Sequence, residues 1–540
     1  MAIKRSLSRS RELVIKGTHL LLRQFAMSPE LLQARRLRRS SAKAVSGTGS
    51  LVGRRILIPT MRDWASHVHL EALLGHYLRS EGASVRHLSC GGGLEICDRA
   101  NSWESPPMPC HSCSKYVRNS LAAHGAEVSW LNESWGDPAW PEIDNMSLDE
   151  LMSATYDSYE LGKLVEVPVK WFLLFDSLSD DPLATKTYRA FLRSAKRVVV
   201  AVENEFARDR PDQVILLNGL FMFEGLIWEV CRRYGIPVVS YERAFIVDSF
   251  VFSHDRVSSY YEIDDAWSSA RHQQLGEREE RELDGYMKDR QFGLRTVDDY
   301  WAQVTKSQLD RSSEGKTVIL FTNLVWDSAV IGMDIGFSSI LDWVETTVRE
   351  FEQLPEHTLV IRIHPAETKL SGRESREQMI EALAKRIPVF PSNVTVIPPE
   401  ENTSTYELMQ EADIGLVYSS TTGLEMAMLG KPVVVAARTH YRGKGFTIDV
   451  SSKDEFVAAL NQLLSTAVID ESIAVQARRY AHLFFFRTPY FELGISEPMR
   501  GLVKFNSTSF EELRHGGRGD VGRFLGAVSS GKSFENDGRN

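Results

Sequence analysis

Short apolar runs alternate with segments of helical periodicity from residue 54 onward. Residues 55–59 form the first apolar run, and residues 69–81 then repeat leucine and tyrosine at helical spacing. Residues 83–89 read as a second strand. This order of strand, helix and strand is typical of the opening of a βαβ unit and predicts a parallel sheet.

The same alternation occurs twice along the chain. The first half continues with strands at 213–217 and 236–240, and a charge-rich helical stretch over 264–311 follows. The pattern then restarts, with strands predicted at 316–322, 357–363, 394–397, 414–418 and 432–436. The sequence therefore predicts an α/β fold of two Rossmann-like domains facing each other across a cleft. The predicted division is an arm at 1–50, a first domain at 51–300, a second domain at 301–490 and an extension at 491–540 with a disordered end.

Composition narrows the class of protein. The 540 residues are 43% hydrophobic and 25% charged, as in soluble globular proteins, and the net charge of −9 argues against a nucleic-acid partner. Residues 1–55 nevertheless hold thirteen Lys or Arg and only two acidic residues. Residues 11–27 mix apolar and basic side chains in a way that suits contact with an anionic membrane leaflet, although a disordered basic tail fits equally well. Because no apolar run could span a bilayer or form a secretory signal, we expect a cytoplasmic protein, peripheral at the inner face of the membrane.

Polar residues follow the first-domain strands. Asn218 comes directly after one strand and Glu242 ends the next, while Asp63 follows the first. Ligands of open α/β sheets bind at the carboxyl ends of strands, so Asp63 and Asn218 are candidates for binding an acceptor and Glu242 for a catalytic carboxylate. Ordinary turn residues would give the same pattern.

A run of hydroxyl side chains follows a buried strand of the second half. Ser419, Ser420, Thr421, Thr422 and Gly423 open a predicted helix, where hydroxyls and free N–H groups are able to hold a phosphate. Glu425, in the first turn, is placed to accept hydrogen bonds from ribose hydroxyls. The alternative is a helix N-cap, which is commoner than a phosphate site but needs fewer hydroxyls.

Two further second-half segments offer groups for an anionic donor. His364 stands at a strand end before Pro365, where its ring is placed to stabilise a departing phosphate, although a lone histidine is more often structural. The loop 437–449 carries Arg438, His440 and Lys444 among glycines. These cations suit an anionic ligand, and a solvated basic loop is the alternative.

Four of the five cysteines cluster in the first half. Cys90, Cys97, Cys110 and Cys113 have the spacing C-x6-C-x12-C-x2-C. In a reducing compartment, four clustered thiols favour a structural zinc site over disulfides, with unligated thiols and an iron–sulfur cluster as alternatives.

Several of these motifs resemble the capsule polysaccharide biosynthesis family, which includes Kdo transferases of the GT-B fold. The resemblance covers about residues 54–490 and is carried by Phe321–Asp327, Ile361–Glu367 and Tyr418–Asp449, with Leu88–Cys97, Pro109–Cys113, Leu217–Gly219 and Tyr241–Arg243 similar to surface-polysaccharide proteins. It implies that His364, Ser419 and Ser420 bind the donor phosphate, and it suggests a CMP-linked donor. The His-Pro and Ser-Ser motifs are shared with GT-B sialyl- and polysialyltransferases. The acidic motif that carries the general base in those relatives has no clear match, and Glu242 and Asp63 are substitutes chosen from their positions at strand ends.

The expected activity is transfer of a sugar from a nucleotide sugar to a polysaccharide or lipid-linked glycan acceptor, with no catalytic metal required. A GT-B-fold phosphotransferase or nucleotide-sugar epimerase would reuse the same architecture. A non-catalytic, zinc-stabilised scaffold of a polysaccharide assembly complex is the remaining alternative.

Overall fold

The computed structural model describes residues 22, 27–43, 49–104, 108–291, 315–328, 330–370, 372–466, 471–488, 490–515 and 519–534. Most of the stretch predicted to contact a membrane, residues 11–27, lies outside these ranges. Of the end predicted to be disordered, residues 529–540, the last six residues also lie outside them, whereas residues 529–534 are described. None of the described helices has the length and apolar character needed to cross a bilayer.

The first domain is built on a six-stranded sheet in the order β3-β2-β1-β4-β5-β6, parallel except for β6. Its strands are β1 (Arg55–Pro59), β2 (Ser84–Ser89), β3 (Glu127–Trp130), β4 (Gln213–Leu217), β5 (Val238–Arg243) and β6 (Phe250–His254). The helices in this part are α1 (Pro29–Ser41), α2 (Ala65–Ser80), α3 (Cys110–His124), α4 (Leu148–Met152), α5 (Leu161–Leu164), α6 (Glu166–Leu173), α7 (Ala184–Arg208) and α8 (Met222–Tyr234). Helices cover both faces of the sheet, and β4 is therefore buried along its whole length.

The second domain repeats the same strand order. Its sheet runs β12-β11-β10-β7-β8-β9, which is the Rossmann order when the strands are counted from β7. The strands are β7 (Thr317–Phe321), β8 (Thr358–Arg362), β9 (Val394–Ile397), β10 (Ile414–Val417), β11 (Val433–Val435) and β12 (Ile448–Asp449). Helices α9 (Asp264–Ala270) and α10 (Glu277–Gln291) precede the sheet, and those that follow are α11 (Ile340–Phe351), α12 (Ala366–Lys369), α13 (Met379–Arg386), α14 (Thr405–Glu411), α15 (Thr422–Met428), α16 (Lys453–Ser465) and α17 (Glu471–His482). Two Rossmann-ordered sheets on either side of a cleft confirm the predicted α/β, GT-B-like fold.

The borders of the two domains differ from the sequence-based division in three places. Helix α1, in the predicted arm, packs on the first domain through Leu31, Ala34 and Leu37. Helices α9 and α10 pack on the second domain, because Trp267, Leu283 and Tyr286 are buried in its core. The extension returns to the first domain through β13 (Ile495–Met499), β14 (Leu502–Phe505), α18 (Phe510–His515) and α19 (Asp520–Ser530). Ser530 ends α19 and Phe534 is buried in the first-domain core, which differs from the disorder predicted for residues 529–540.

Candidate functional site

His364 is fixed at the end of β8 by two backbone contacts. Its N–H donates to Thr322 Oγ1 at 3.0 Å, and its ring Nδ1 accepts the N–H of Ala366 at 3.1 Å. Burial, reinforced by the Arg362 charge, lowers the pKa of His364 to about 4. The ring is therefore neutral near pH 7, and since Nδ1 accepts, the ring proton lies on Nε2. His364 is an N–H donor and not a cation.

The hydroxyl run surrounds the start of α15. Ser420 Oγ accepts from the hydroxyl of Thr422 at 2.9 Å and from its N–H at 3.3 Å. Thr421 occupies the N-cap position but makes no side-chain capping hydrogen bond. Because α15 has only seven residues, any anion at this point is held mainly by hydroxyl groups.

Gly423 lies beneath this run and not in a cavity wall. A Cβ atom at Gly423 would stand 2.3 Å from Tyr441 Oη and 2.8 Å from Val417 Cγ2. The Tyr441 hydroxyl itself donates to the Ser420 carbonyl at 2.5 Å. Glycine at 423 therefore lets Tyr441 support the hydroxyl run from below.

His364 and the hydroxyl run share one cavity of about 210 Å³ within the second domain. Ser420, Thr421, Thr422 and Glu425 line it as predicted. Arg290 and Tyr406 also line it, and the sequence analysis missed both. Arg290 Nη2 lies 2.9 Å from Glu425 Oε1, so the carboxylate predicted to bind ribose is already paired with a guanidinium.

A second cavity, of about 320 Å³, lies between the two domains. The first domain contributes Asn218, Glu242 and Tyr260, and the second contributes Asp327, Ser419, Thr421, Arg438 and His440. Thr421 lines both this cavity and the one around His364. A ligand that spans the two cavities would pass the hydroxyl run.

Glu242 is held by two donors at the edge of the interdomain cavity. Asn218 Nδ2 donates to Oε2 at 2.7 Å, and the Arg243 N–H donates to Oε1 at 2.7 Å. Burial, with a smaller contribution from Asp327 across the cleft, raises the pKa of Glu242. A fixed carboxylate with a raised pKa has the properties of a general base.

The basic loop contributes less charge to the cavity than its sequence indicates. Arg438 lies over the Tyr260 ring at 5.6 Å and lines the cavity. His440 stacks on Phe484 with ring centroids 4.0 Å apart, and burial lowers its pKa to about 3, so it is neutral. Lys444 pairs with Asp264 of α9 and lies outside the walls of both cavities. Of the three predicted contacts, Arg438 is the one that brings a positive charge to the interdomain cavity.

A third cavity, of about 380 Å³, adjoins the interdomain cavity on the first-domain side. Both are lined by Asn218, Glu242, Arg243 and Ser328, so they meet at the candidate base. Asp63, Trp64, His67, Trp171 and Phe221 form much of the rest of its wall. Glu497 and Arg500, from the hairpin of β13 and β14, complete it, and the sequence analysis did not foresee them. Asp63 is paired there with Arg99.

The four clustered cysteines line a separate small cavity behind Asp63. All five cysteines are free of disulfides, and Cys231 is buried elsewhere. Within the described residues, no three histidine, cysteine or carboxylate side chains already stand in metal-binding geometry. Burial raises the pKa of Cys90, Cys97 and Cys113 to about 12, so these thiols stay protonated unless a cation joins them.

Residues 247–481 match the family model described as capsule polysaccharide biosynthesis protein. This match confirms the predicted family resemblance. The capsule-family segment is less than half of the chain, and it includes His364, the hydroxyl run and the basic loop. Asn218, Glu242 and the cysteines precede it.

Similar solved structures include two KpsC transferases from Thermosulfurimonas dismutans. The beta Kdo 2,4 transferase is 14% identical with a TM-score of 0.33, over 56% of this chain and 88% of that one. The beta Kdo 2,7 transferase is 15% identical with a TM-score of 0.31, over 58% and 88%. A co-structure of S. aureus MnaA with UDP is 11% identical with a TM-score of 0.28, over 88% and 96%. At TM-scores this low these structures carry no argument, and the fold assignment follows from the strand order. No curated protein matches the chain.

Proposed function

We propose that this protein transfers a glycosyl unit from a nucleotide sugar to the hydroxyl of a glycan acceptor. The observation that carries the proposal is the position of Glu242, where the interdomain cavity meets the cavity on the first-domain side. A carboxylate at that junction reaches a donor sugar on one side and an acceptor hydroxyl on the other.

The nucleotide occupies the second-domain cavity, with its phosphate beside His364 and the hydroxyl run. The His364 Nε2–H and the hydroxyls of Ser420 and Thr421 donate to the phosphate oxygens. These donors stabilise the negative charge that develops as the sugar–phosphate bond breaks. The family resemblance favours a CMP-linked donor, and Arg438 adds the cationic contact on the interdomain side.

The acceptor glycan, free or lipid-linked, occupies the first-domain cavity. Trp64, Trp171 and Phe221 give this cavity an aromatic wall, which suits the apolar faces of sugar rings. Glu242 takes the proton of the acceptor hydroxyl while the acceptor oxygen forms a bond to the anomeric carbon. The nucleotide leaves with the electrons of the sugar–phosphate bond. Asp63, paired with Arg99, lies on the same wall and contacts the acceptor.

Product analysis tests the reaction class. The purified chain is incubated with CMP-, UDP- and GDP-linked sugars, with and without a glycan extract, and products are separated by chromatography and identified by NMR. Transfer gives free nucleotide together with labelled glycan, and it should be lost in Glu242→Gln but retained in the exposed control Glu133→Gln. A new nucleotide sugar formed without an acceptor would instead identify an epimerase, and movement of phosphate with the sugar a phosphotransferase. Binding without turnover of any donor would favour the scaffold.

A further inference from the structure

The four clustered cysteines line one small cavity of the first domain. Cys90 follows β2, Cys97 lies in the next loop, and Cys110 and Cys113 form the first turn of α3. All four line one cavity of about 20 Å³, room for one water-sized occupant. These side chains are separated by up to 23 positions in sequence, so their meeting is a property of the fold.

The loop after Cys90 is shaped to bring the thiols together. Gly91, Gly92 and Gly93 have φ values of +75°, +92° and +91°, which other residues rarely adopt. A Cβ atom at Gly92 would lie 3.3 Å from Cys110 Cβ. The three glycines therefore allow the loop to turn tightly against the start of α3.

A backbone N–H group already donates to one of the four sulfur atoms. The Gly92 N–H lies 3.3 Å from Cys90 Sγ. Hydrogen bonds from backbone N–H groups to sulfur are the outer contacts that stabilise metal-bound thiolates. Arg62 and Arg99 line the same cavity, so two guanidinium groups are placed to offset negative charge on the sulfurs.

We propose that Cys90, Cys97, Cys110 and Cys113 bind one zinc ion as four thiolates. The thiols line the cavity without yet converging, so binding requires their side chains to rotate inward. With all four positions filled by sulfur, the ion has no open site for water or substrate, and its role is structural. Each bound thiol releases its proton on binding.

The zinc site also holds residues that line the acceptor cavity. Asp98, next to Cys97, forms a bidentate pair with Arg62 at 2.8 and 3.0 Å and accepts the Met222 N–H at 2.7 Å. Arg99 follows and pairs with Asp63. Zinc bound by Cys97 would therefore help to hold Asp63 in place through Arg99. Only this consequence rests on the proposed function, whereas zinc binding stands apart from it.

Metal analysis of the intact chain tests the proposal. Protein purified under reducing conditions should contain one zinc per chain, with X-ray absorption showing four sulfur neighbours at about 2.3 Å. Cys97→Ser and Cys113→Ser should lose the metal, and Cys231→Ser, a matched change at the buried fifth cysteine, should keep it. If the variants do not fold, a mercurial titration of the wild type should release one zinc as four thiols react.

Three results would overturn the zinc assignment. The first is a wild-type chain that neither contains zinc nor binds added Zn²⁺ under reducing conditions. The second is retention of zinc in both Cys97→Ser and Cys113→Ser. The third is an iron–sulfur absorption band with stoichiometric iron and sulfide. If a wild-type chain that binds no zinc still transfers a glycosyl unit, the zinc assignment falls and the proposed function stands.

Discussion

Asn218 donates a hydrogen bond of 2.7 Å to Glu242, and this contact orients the carboxylate between the two cavities. The bond favours the ionised form and so opposes the burial that raises the pKa of Glu242. Asn218→Ala should therefore move the acidic limb of the kcat/KM profile to higher pH. We expect turnover at neutral pH to fall about tenfold, less than the 10²- to 10⁴-fold typical of losing a general base. A lower rate with an unshifted pH profile would show that Asn218 does not act through Glu242.

His364 should bind the donor with little dependence on pH. Because its pKa is lowered to about 4, the ring stays neutral from pH 5.5 to 8. The affinity for a nucleotide sugar, whose phosphate does not titrate in this range, should change less than threefold when measured by calorimetry. His364→Ala should weaken binding by about tenfold, the loss of roughly one hydrogen bond to a charged group, while the exposed control His272→Ala should leave it unchanged. Binding that strengthens steeply below pH 6.5 would mean that a protonated ring holds the phosphate.

Gly423→Ala should destabilise the second domain. The added methyl meets the Tyr441 hydroxyl at 2.3 Å, and such overpacking costs about 1–3 kcal/mol. Tyr441→Phe removes that oxygen, so the same glycine change should cost less in the Tyr441→Phe background. Urea denaturation of the four proteins gives the coupling energy. Additive costs would place the strain elsewhere, for example at Val417.

Buried neutral histidines should make the protein acid-sensitive. The pKa values of His67, His76, His87 and His440 are lowered by burial to about 3, and that of His364 to about 4. The unfolded chain binds these protons near pH 6.5 and the folded chain does not. The contribution of these histidines to the free energy of unfolding is therefore fully present above pH 6.5 and is lost as the pH drops toward 4. Each histidine contributes at most about 1.4 kcal/mol per pH unit. Glu71, with its pKa raised to about 8 by burial, acts in the opposite direction and lowers stability between pH 4.5 and 8.

The predicted loss of stability at low pH is checked by measuring the midpoint of urea unfolding between pH 5 and 8. His76→Gln removes one of these groups and should flatten the slope below pH 6.5, whereas His272→Gln, at an exposed site, should not. A slope unchanged by His76→Gln would exclude this histidine from the acid response.

Nine of the twelve strands in the two large sheets were readable from sequence because they are short and apolar, whereas β3, β6 and β12 were not predicted. His364 and Glu242 were predicted at strand ends and are found there, since the parallel sheet fixes that edge. Arg290 was missed because it lies on α10, a helix that the sequence pattern assigned to the first domain but that packs on the second. Glu497 and Arg500 were missed because nothing in a short hairpin near the end of the chain signals its return to the first domain.

Charge on the basic loop was overestimated for a related reason. Sequence gives the count of cations but not their partners. Lys444 forms an ion pair with Asp264, which lies 180 positions earlier in the chain. His440 is neutral because burial lowers its pKa to about 3. Both effects depend on contacts between distant parts of the chain.

The central claim is that the second domain binds the donor and that Glu242 of the first domain acts as the base. It is tested most directly by measuring donor affinity and turnover on the same variants. Glu242→Gln should bind the nucleotide sugar within threefold of wild type yet lose at least about 100-fold in kcat, as expected for a base that is not a donor ligand. His364→Ala should lose donor affinity by about tenfold. Equal losses of affinity in both variants, or normal turnover in Glu242→Gln, would contradict the account.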